Sequence, residues 1–402
     1  MLRISPIQYS CTKFSLEVLK PIRYNENIIK NPKISENDKS IEIHTHPDVD
    51  LEFDEMKEMY KIILENPSKV VSVEHSGIFV SYTDKYIPSD YEVFDYNWYS
   101  KRRFERVYGL KWCFVHLTNL CTYKCKYCYL YDEIMKIGDE NFISETSKFF
   151  DHREELIKML RRCDLPVTYG GGEPTLVPLH YKHHDIATVT TNLHNPKSVM
   201  KWCLENSIDG ICISMPFIYN VDLWNDVRDD DYYDFMDRFY KFAKIYGILA
   251  SANRIIFDET MLPDVCISII LTNKVNLEEL LFSLKMIGGT WERFTGEKLR
   301  LLLLDYIPVK DVNIRPLKRE ELIKILPDVF AEIYADKNNT LGHYYDVVHI
   351  DVCLAKKVGF DWCSFIRKYG LMSKVEYSVS EKKWTKYVER NCLMGFKHCK
   401  IS

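Results

Sequence analysis

The stretch WCFVHLTNLCTYKCKYC, Trp112 to Cys128, joins a β-like apolar run to three closely spaced thiols. Cys121, Cys125 and Cys128 form a C-x3-C-x2-C array directly after that run. Thiolate sulfur is the ligand that iron–sulfur clusters and zinc select. A fully ligated cubane takes one cysteine per iron, so three thiolates leave one iron open to something other than protein. That is a catalytic design rather than an electron-storage one. Structural zinc, the competing reading, needs a fourth protein ligand at tetrahedral geometry, and His116 is the nearest candidate.

Further along comes LPVTYGGGEPTLVP, with Gly171, Gly172, Glu173 and Pro174 at its centre. A glycine pair lacks Cβ atoms, so the backbone can take positive φ and a ligand can approach the main chain. On the cysteine array, the aromatic Tyr127 before its last member and this GGEP segment, the chain resembles the radical S-adenosylmethionine (SAM) enzymes. Two motifs in order, at a plausible separation, are far more specific than either alone.

From Lys111 onward strand-like and helix-like runs alternate, the pattern of βα units and a parallel sheet. The expected strands are Trp112–Thr118, Leu165–Tyr169, Asp185–Thr190, Asp209–Ser214, Val265–Leu271 and Leu299–Tyr306. The expected helices are Ser144–Arg162, Lys197–Asn206, Asp222–Tyr246, Leu277–Ile287 and Lys318–Tyr334. This predicts an α/β fold, a partial (βα)6 TIM-type barrel over residues 111–336. In such a barrel functional residues gather where strands end. The cysteines follow the first strand and the glycines the second, so both motifs belong at one face.

Residues 1–110 read as an N-terminal extension with a small α+β piece, and residues 337–402 as a C-terminal cysteine-containing tail. Residues 1 to about 40 look irregular, with Pro6, Pro21 and Pro32. His44 and His46 are read as exposed or hydrogen-bonded rather than as a metal pair. Lys101, Arg102 and Arg103 stand in an aromatic-basic stretch that reads as a surface linker, with contact to an anionic substrate as the alternative. The tail holds Cys353, Cys363, Cys392 and Cys399, a strand-like piece (YYDVVHIDVCLA) and a helix-like one (KKWTKYVERNCLMGF). Their spacing lacks CxxC-type density, so buried thiols are expected there rather than a second cluster.

The resemblance implies that Cys121, Cys125 and Cys128 bind a [4Fe-4S] cluster whose open iron takes the amino and carboxylate groups of SAM. It implies that Gly171, Gly172, Glu173 and Pro174 cradle the methionine end, and that Tyr127 lies near the adenine. The third strand ends in Thr190, Thr191 and Asn192, where many members have Thr-Asn-Gly; here Leu193 replaces the glycine. Asn192 and Ser214 are therefore candidate SAM contacts, with Asn273 and Asn276 a weaker extension of the same idea. The implied chemistry is reductive cleavage of SAM to a 5′-deoxyadenosyl radical, which abstracts hydrogen from a substrate. An external one-electron donor of flavodoxin or ferredoxin type would supply the electron.

The chain has 402 residues, a formal net charge of −4 and 46% hydrophobic content, the profile of a globular chain with a sizeable core. The pI near 6.3 gives no basic footprint for nucleic acid, though a local groove is not excluded. No apolar run is long enough to span a bilayer, and the N-terminus has no signal-peptide core. Thirteen scattered cysteines argue for a reducing cytosol rather than a disulfide framework. The substrate is open: a peptide or protein is favoured, a nucleoside or RNA base is the alternative, and a small metabolite comes third. A non-catalytic iron–sulfur or zinc protein that binds a partner is the reading from another class.

Overall fold

Aliphatic strands separated by amphipathic helices lie side by side in chain order, and this order decides the architecture. The computed structural model describes residues 2–4, 15–18, 41–45, 53–65, 70–74, 111–137, 142–161, 167–184, 186–257, 262–308, 312–334, 341–359, 373–378 and 383–387. Near the N-terminus are β1 (Leu2–Ile4), β2 (Ser15–Val18), β3 (Ile41–Thr45), α1 (Phe53–Glu65) and β4 (Val70–Glu74). The main alternation starts with β5 (Lys111–Thr118), α2 (Tyr131–Ile137), α3 (Phe142–Leu160), β6 (Val167–Gly171), β7 (Ala187–Thr191) and α4 (Pro196–Glu205). It continues through β8 (Gly210–Ser214), α5 (Val221–Val227), α6 (Tyr232–Phe257), β9 (Asp264–Leu271) and α7 (Leu277–Thr295). Then come β10 (Leu299–Asp305), α8 (Arg319–Tyr334), β11 (Tyr345–Asp351), α9 (Val352–Lys357), β12 (Ser373–Ser378) and β13 (Lys383–Tyr387).

Strands β5 to β11 are parallel and neighbour one another in sequence order. A doubly wound sheet reverses its order at a switch point; this one never does. With right-handed crossovers, unreversed order puts every helix on the same face, as in a (βα) barrel. The ring does not close: β12 takes the free edge of β5, and β2 pairs antiparallel with β11. The fold is α/β, a partial barrel.

Alternate strand residues divide accordingly. Ile211, Ile213, Val265, Ile267, Leu299 and Leu301 pack into the main core with Leu280, Leu284 and Trp291 of α7. Cys212, Cys266 and Leu302 form a separate small cluster on the opposite, inner face. The inner face is more polar towards β6 and β7, where Thr168 and Thr188 share a 2.9 Å hydroxyl contact.

The six strands read from the sequence are β5 to β10, with ends shifted by one or two residues. The seventh parallel strand is the strand-like piece of the tail, Tyr345–Asp351, paired with β10. Three expectations need correction. The single helix expected over Asp222–Tyr246 is two, because Asp231 Oδ1 accepts from the amides of Tyr233 and Asp234 and so caps α6. Aspartate favours that capping position over a helix interior. The helix-like KKWTKY contains β13, whose alternation pairs it with β12. Within the irregular first 40 residues, β1 and β2 add two short strands to the sheet.

Helix α1 packs on α8 through Tyr60 against Phe330, 5.1 Å between centroids, and a 2.6 Å Lys57–Asp328 ion pair. His44 lies on β3, and Cys353 is half-buried on α9. His46, Lys101, Arg102, Arg103, Cys363, Cys392 and Cys399 lie outside the described residues. Among the described residues no helix is long and apolar enough to cross a membrane.

Candidate active site

The cysteine loop leaves the C-terminal end of β5, and the GGGEP loop leaves the C-terminal end of β6. Backbone bonds join them: the Gly172 amide donates to Thr118 O at 2.7 Å, and the Glu173 amide to Leu120 O at 2.6 Å. Such close contact dictates glycine. A Cβ on Gly171, whose φ is 119°, would lie 2.3 Å from Thr118 O, and one on Gly172 would lie 2.1 Å from Leu120 O. The glycines therefore serve first to dock one motif on the other.

Glu173 is fully buried. Its Oε1 accepts from Thr175 Oγ1 (2.5 Å), Thr191 Oγ1 (2.9 Å) and the Thr175 amide (3.3 Å), and its Oε2 from the Asn192 amide (2.7 Å). Of the two roles open to it, acceptor for a ligand or anchor for the loop, this arrangement is an anchor tying β6 to the end of β7. Pro174 opens a single 3-10 turn, Pro174–Leu176, that carries the chain away.

Asn192 reaches across to the cysteines. Its Nδ2 lies 3.5 Å from Cys121 Sγ and 3.3 Å from Thr122 Oγ1, and its Oδ1 accepts from the His194 amide at 2.9 Å. Leu193 adopts φ 59° with its side chain fully buried, so the left-handed turn a glycine would make is kept by a leucine. Ser214 ends β8, half-buried, with its carbonyl taken by Arg228 Nη1 at 2.8 Å. Asn273 and Asn276 serve local structure: Asn273 Oδ1 accepts from the Arg315 amide at 2.8 Å, and Asn276 caps α7.

All three thiols are half-buried, and those of Cys121 and Cys128 have a donor within hydrogen-bond distance. Asn192 Nδ2 is the donor at Cys121, 3.5 Å from its sulfur, while the Asp229 backbone and the Tyr127 hydroxyl pull the Cys125 thiol down against the larger effect of burial. The Leu130 amide lies 3.4 Å from Cys128 Sγ. Burial pushes the Cys121 thiol up to about 12 and raises that of Cys125, so soft-metal ligation would have to draw off their protons. Tyr127 stands edge-on to Phe217, 5.0 Å between centroids.

Among the described residues no three His, Cys, Asp or Glu side chains converge on a single-ion position. A cubane gives each cysteine its own iron, so its ligands face a common space rather than a common ion. N–H and O–H donors to sulfur are the outer-shell contacts that tune such clusters. The donor set fits a cluster. His116, the candidate fourth zinc ligand, has its Nε2 2.6 Å from Asn119 Oδ1 and its ring against Gly171.

Sequence reasoning missed a charged group beside this loop. Arg228, Asp230 and Arg238 come from the α5–α6 break and the start of α6, and the Tyr123 ring of the cysteine loop lies 5.7 Å from both guanidinium carbons. The signal was the run RDDD, Arg228 to Asp231, inside an otherwise helical pattern.

The chain matches no protein-family model and no curated protein sequence. Among solved structures it is similar to SuiB of Streptococcus suis bound to S-adenosylmethionine, at 15% identity and TM-score 0.45, covering 76% of this chain and 73% of that one. It is also similar to anSMEcpe with bound AdoMet, at 17% identity and TM-score 0.34, covering 55% and 60%. A third is the methylornithine synthase PylB, at 13% identity and TM-score 0.34, covering 63% and 79%. At these identities and TM-scores the likeness by itself decides neither activity nor substrate.

Proposed function

We propose that the protein is a radical SAM enzyme, with Cys121, Cys125 and Cys128 as ligands of a [4Fe-4S] cluster. The observation that carries this reading is the docking of GGGEP onto the cysteine loop through the Gly172 and Glu173 amides, with donors at the Cys121 and Cys128 sulfurs. When bound, such a cluster supplies one electron to the sulfonium of SAM, giving methionine and a carbon radical able to take hydrogen from an unactivated substrate carbon.

The chain's own residues do the holding. Gly171 and Gly172 present main chain at the strand end, where the methionine part of SAM would bind. Glu173 fixes that loop against Thr191 and Asn192, so the SAM-facing backbone is set before ligand arrives. Asn192, at the β7 end beside Cys121, and Ser214, at the next strand end, are the proposed SAM contacts; their positions at adjacent strand ends support this. Tyr127, held edge-on against Phe217, would lie near the adenine and pack over the cluster to exclude water. An external flavodoxin- or ferredoxin-type donor is the proposed electron source.

A peptide or protein is the proposed substrate class, since long segments flank the barrel on both sides; binding that weakens steeply with salt would instead assign RNA. The test is anaerobic reconstitution with iron and sulfide, then SAM and dithionite, with 5′-deoxyadenosine as readout. Wild type should cleave SAM and Cys125→Ala should not. Full turnover by Cys125→Ala, or zinc as the only bound metal in wild type, overturns the reading.

A further inference from the structure

The end of α5 and the break that follows it, Asp226 to Asp230, are built onto the cysteine loop. Val227 O accepts from the Lys126 amide at 2.8 Å, Asp229 Oδ2 from the Lys124 amide at 3.0 Å, and Asp226 Oδ1 from Lys126 Nζ at 3.0 Å. The Tyr123 ring of the same loop lies 5.7 Å from the Arg238 guanidinium carbon. Within the break lies Arg228, its side chain only 1% exposed. Its Nη1 donates to Ser214 O at 2.8 Å and its Nη2 to Asn192 O at 3.1 Å. Its guanidinium carbon is 4.2 Å from the Trp224 ring centroid and 4.8 Å from that of Phe235. Nε makes no hydrogen bond; the nearest carboxylate oxygen, Asp230 Oδ2, is 3.5 Å away. Asp230 is instead held by Arg238, whose Nη2 lies 2.6 Å from Oδ1 and whose Nε bonds Leu193 O at 3.2 Å.

One carboxylate, Asp230, thus faces two guanidinium groups, and the more deeply buried of them, that of Arg228, is the one it holds less closely. A helix-to-helix turn does not need a buried arginine, and desolvating one is costly unless its charge is used.

We infer that Arg228 is a positioning residue for the cysteine-bound cluster, a fixed cation oriented by the Ser214 and Asn192 carbonyls that favours the cluster's one-electron reduction. The inference rests on the three cysteines being cluster ligands. The Arg228 guanidinium carbon lies 5.7 Å from the Tyr123 ring centroid in the cysteine loop, and Asn192, whose carbonyl Arg228 holds, reaches Cys121 Sγ at 3.5 Å. Cluster potentials respond to net charge and to hydrogen bonds at sulfur, so a buried charge at this place acts on the potential directly.

The test is the midpoint potential of the reconstituted protein, read by the electron-paramagnetic signal of the cluster as dithionite adds one electron. Arg228→Gln removes a cation and should disfavour reduction about tenfold, a fall of about 59 mV for one electron. Asp230→Asn removes an anion and should shift it the other way. Arg228→Lys keeps the charge without the planar fork and should stay nearest wild type. A purely structural brace would change iron content without ordering the potentials by charge. Equal potentials, or shifts of one sign for opposite charge changes, overturn the inference. Should Arg228→Gln fail to fold, Asp230→Asn decides alone. A wild-type chain that takes up no four-iron cluster removes the underlying reading as well; one that cleaves SAM without charge-ordered potentials removes only the assignment to Arg228.

Discussion

Replacing Glu173 by glutamine tests whether this residue acts on SAM or on the protein. The buried carboxylate accepts four hydrogen bonds, from Thr175 twice, Thr191 and Asn192. Glutamine can offer one oxygen only. With that oxygen at the threonines, its NH2 faces the Asn192 amide, donor against donor. Turned the other way, the NH2 meets the Thr175 amide and two hydroxyls, one of which, Thr191 Oγ1, already accepts from the Leu193 amide at 3.1 Å. Either orientation loses at least one charge-assisted bond, worth about 1.5–3 kcal/mol. At 1.4 kcal/mol per factor of ten, opening of the Thr191–His194 turn should become roughly 10- to 150-fold more frequent. The assay is amide hydrogen exchange on the metal-free protein, comparing the Asn192 amide with those of β8. A Glu173→Gln protein with unchanged exchange at Asn192, but weakened SAM binding once reconstituted, would refute the anchoring role and make the carboxylate a ligand contact.

Leu193→Gly should destabilise the chain by roughly 2 kcal/mol or more in urea unfolding, because losing a fully buried leucine outweighs the roughly 1–2 kcal/mol of left-handed strain relieved. A variant as stable as wild type would show that the strain dominates. Asp351→Asn gives a pH signature. Burial first, then the neighbouring Asp305, holds the Asp351 carboxyl well above the ordinary range, so the folded state keeps a proton the unfolded chain releases. That preference stabilises the fold at acid pH and is lost as pH rises through the raised value. Asparagine still caps α9 through the Leu354 amide and carries no charge. The variant should match wild type near pH 3 and gain on it as pH rises toward 7; a difference independent of pH, read by thermal melting, would refute this.

Much of the architecture was legible because strand burial and helix amphipathicity are written in local patterns. β5 to β10 could be placed from aliphatic runs alone, and the motif positions at strand ends followed from chain order. The division of α5 from α6 was not legible, since Asp230 and Asp231 look like solvated helix residues until their partners are known. KKWTKY carries both helical and strand preferences, and pairing with β12 resolves it as β13. The tail strand β11 was visible as a strand, but its place beside β10 was not, because pairing partners are set by contacts distant in sequence.

By itself the sequence determined which residues bear the chemistry: three thiols at a fixed spacing and a glycine pair ahead of a glutamate, each type selected by what its atoms can ligate or where its backbone can go. Only the tertiary structure decided what holds them. Glu173 turns inward to Thr191 and Asn192, the glycines are flattened against Thr118 and Leu120, and Arg228 is buried behind the cysteine loop. Ligand identity is a property of side-chain type and near spacing, which a linear string preserves. Hydrogen-bond partners and desolvation depend on residues scores of positions apart, and the string does not carry those distances.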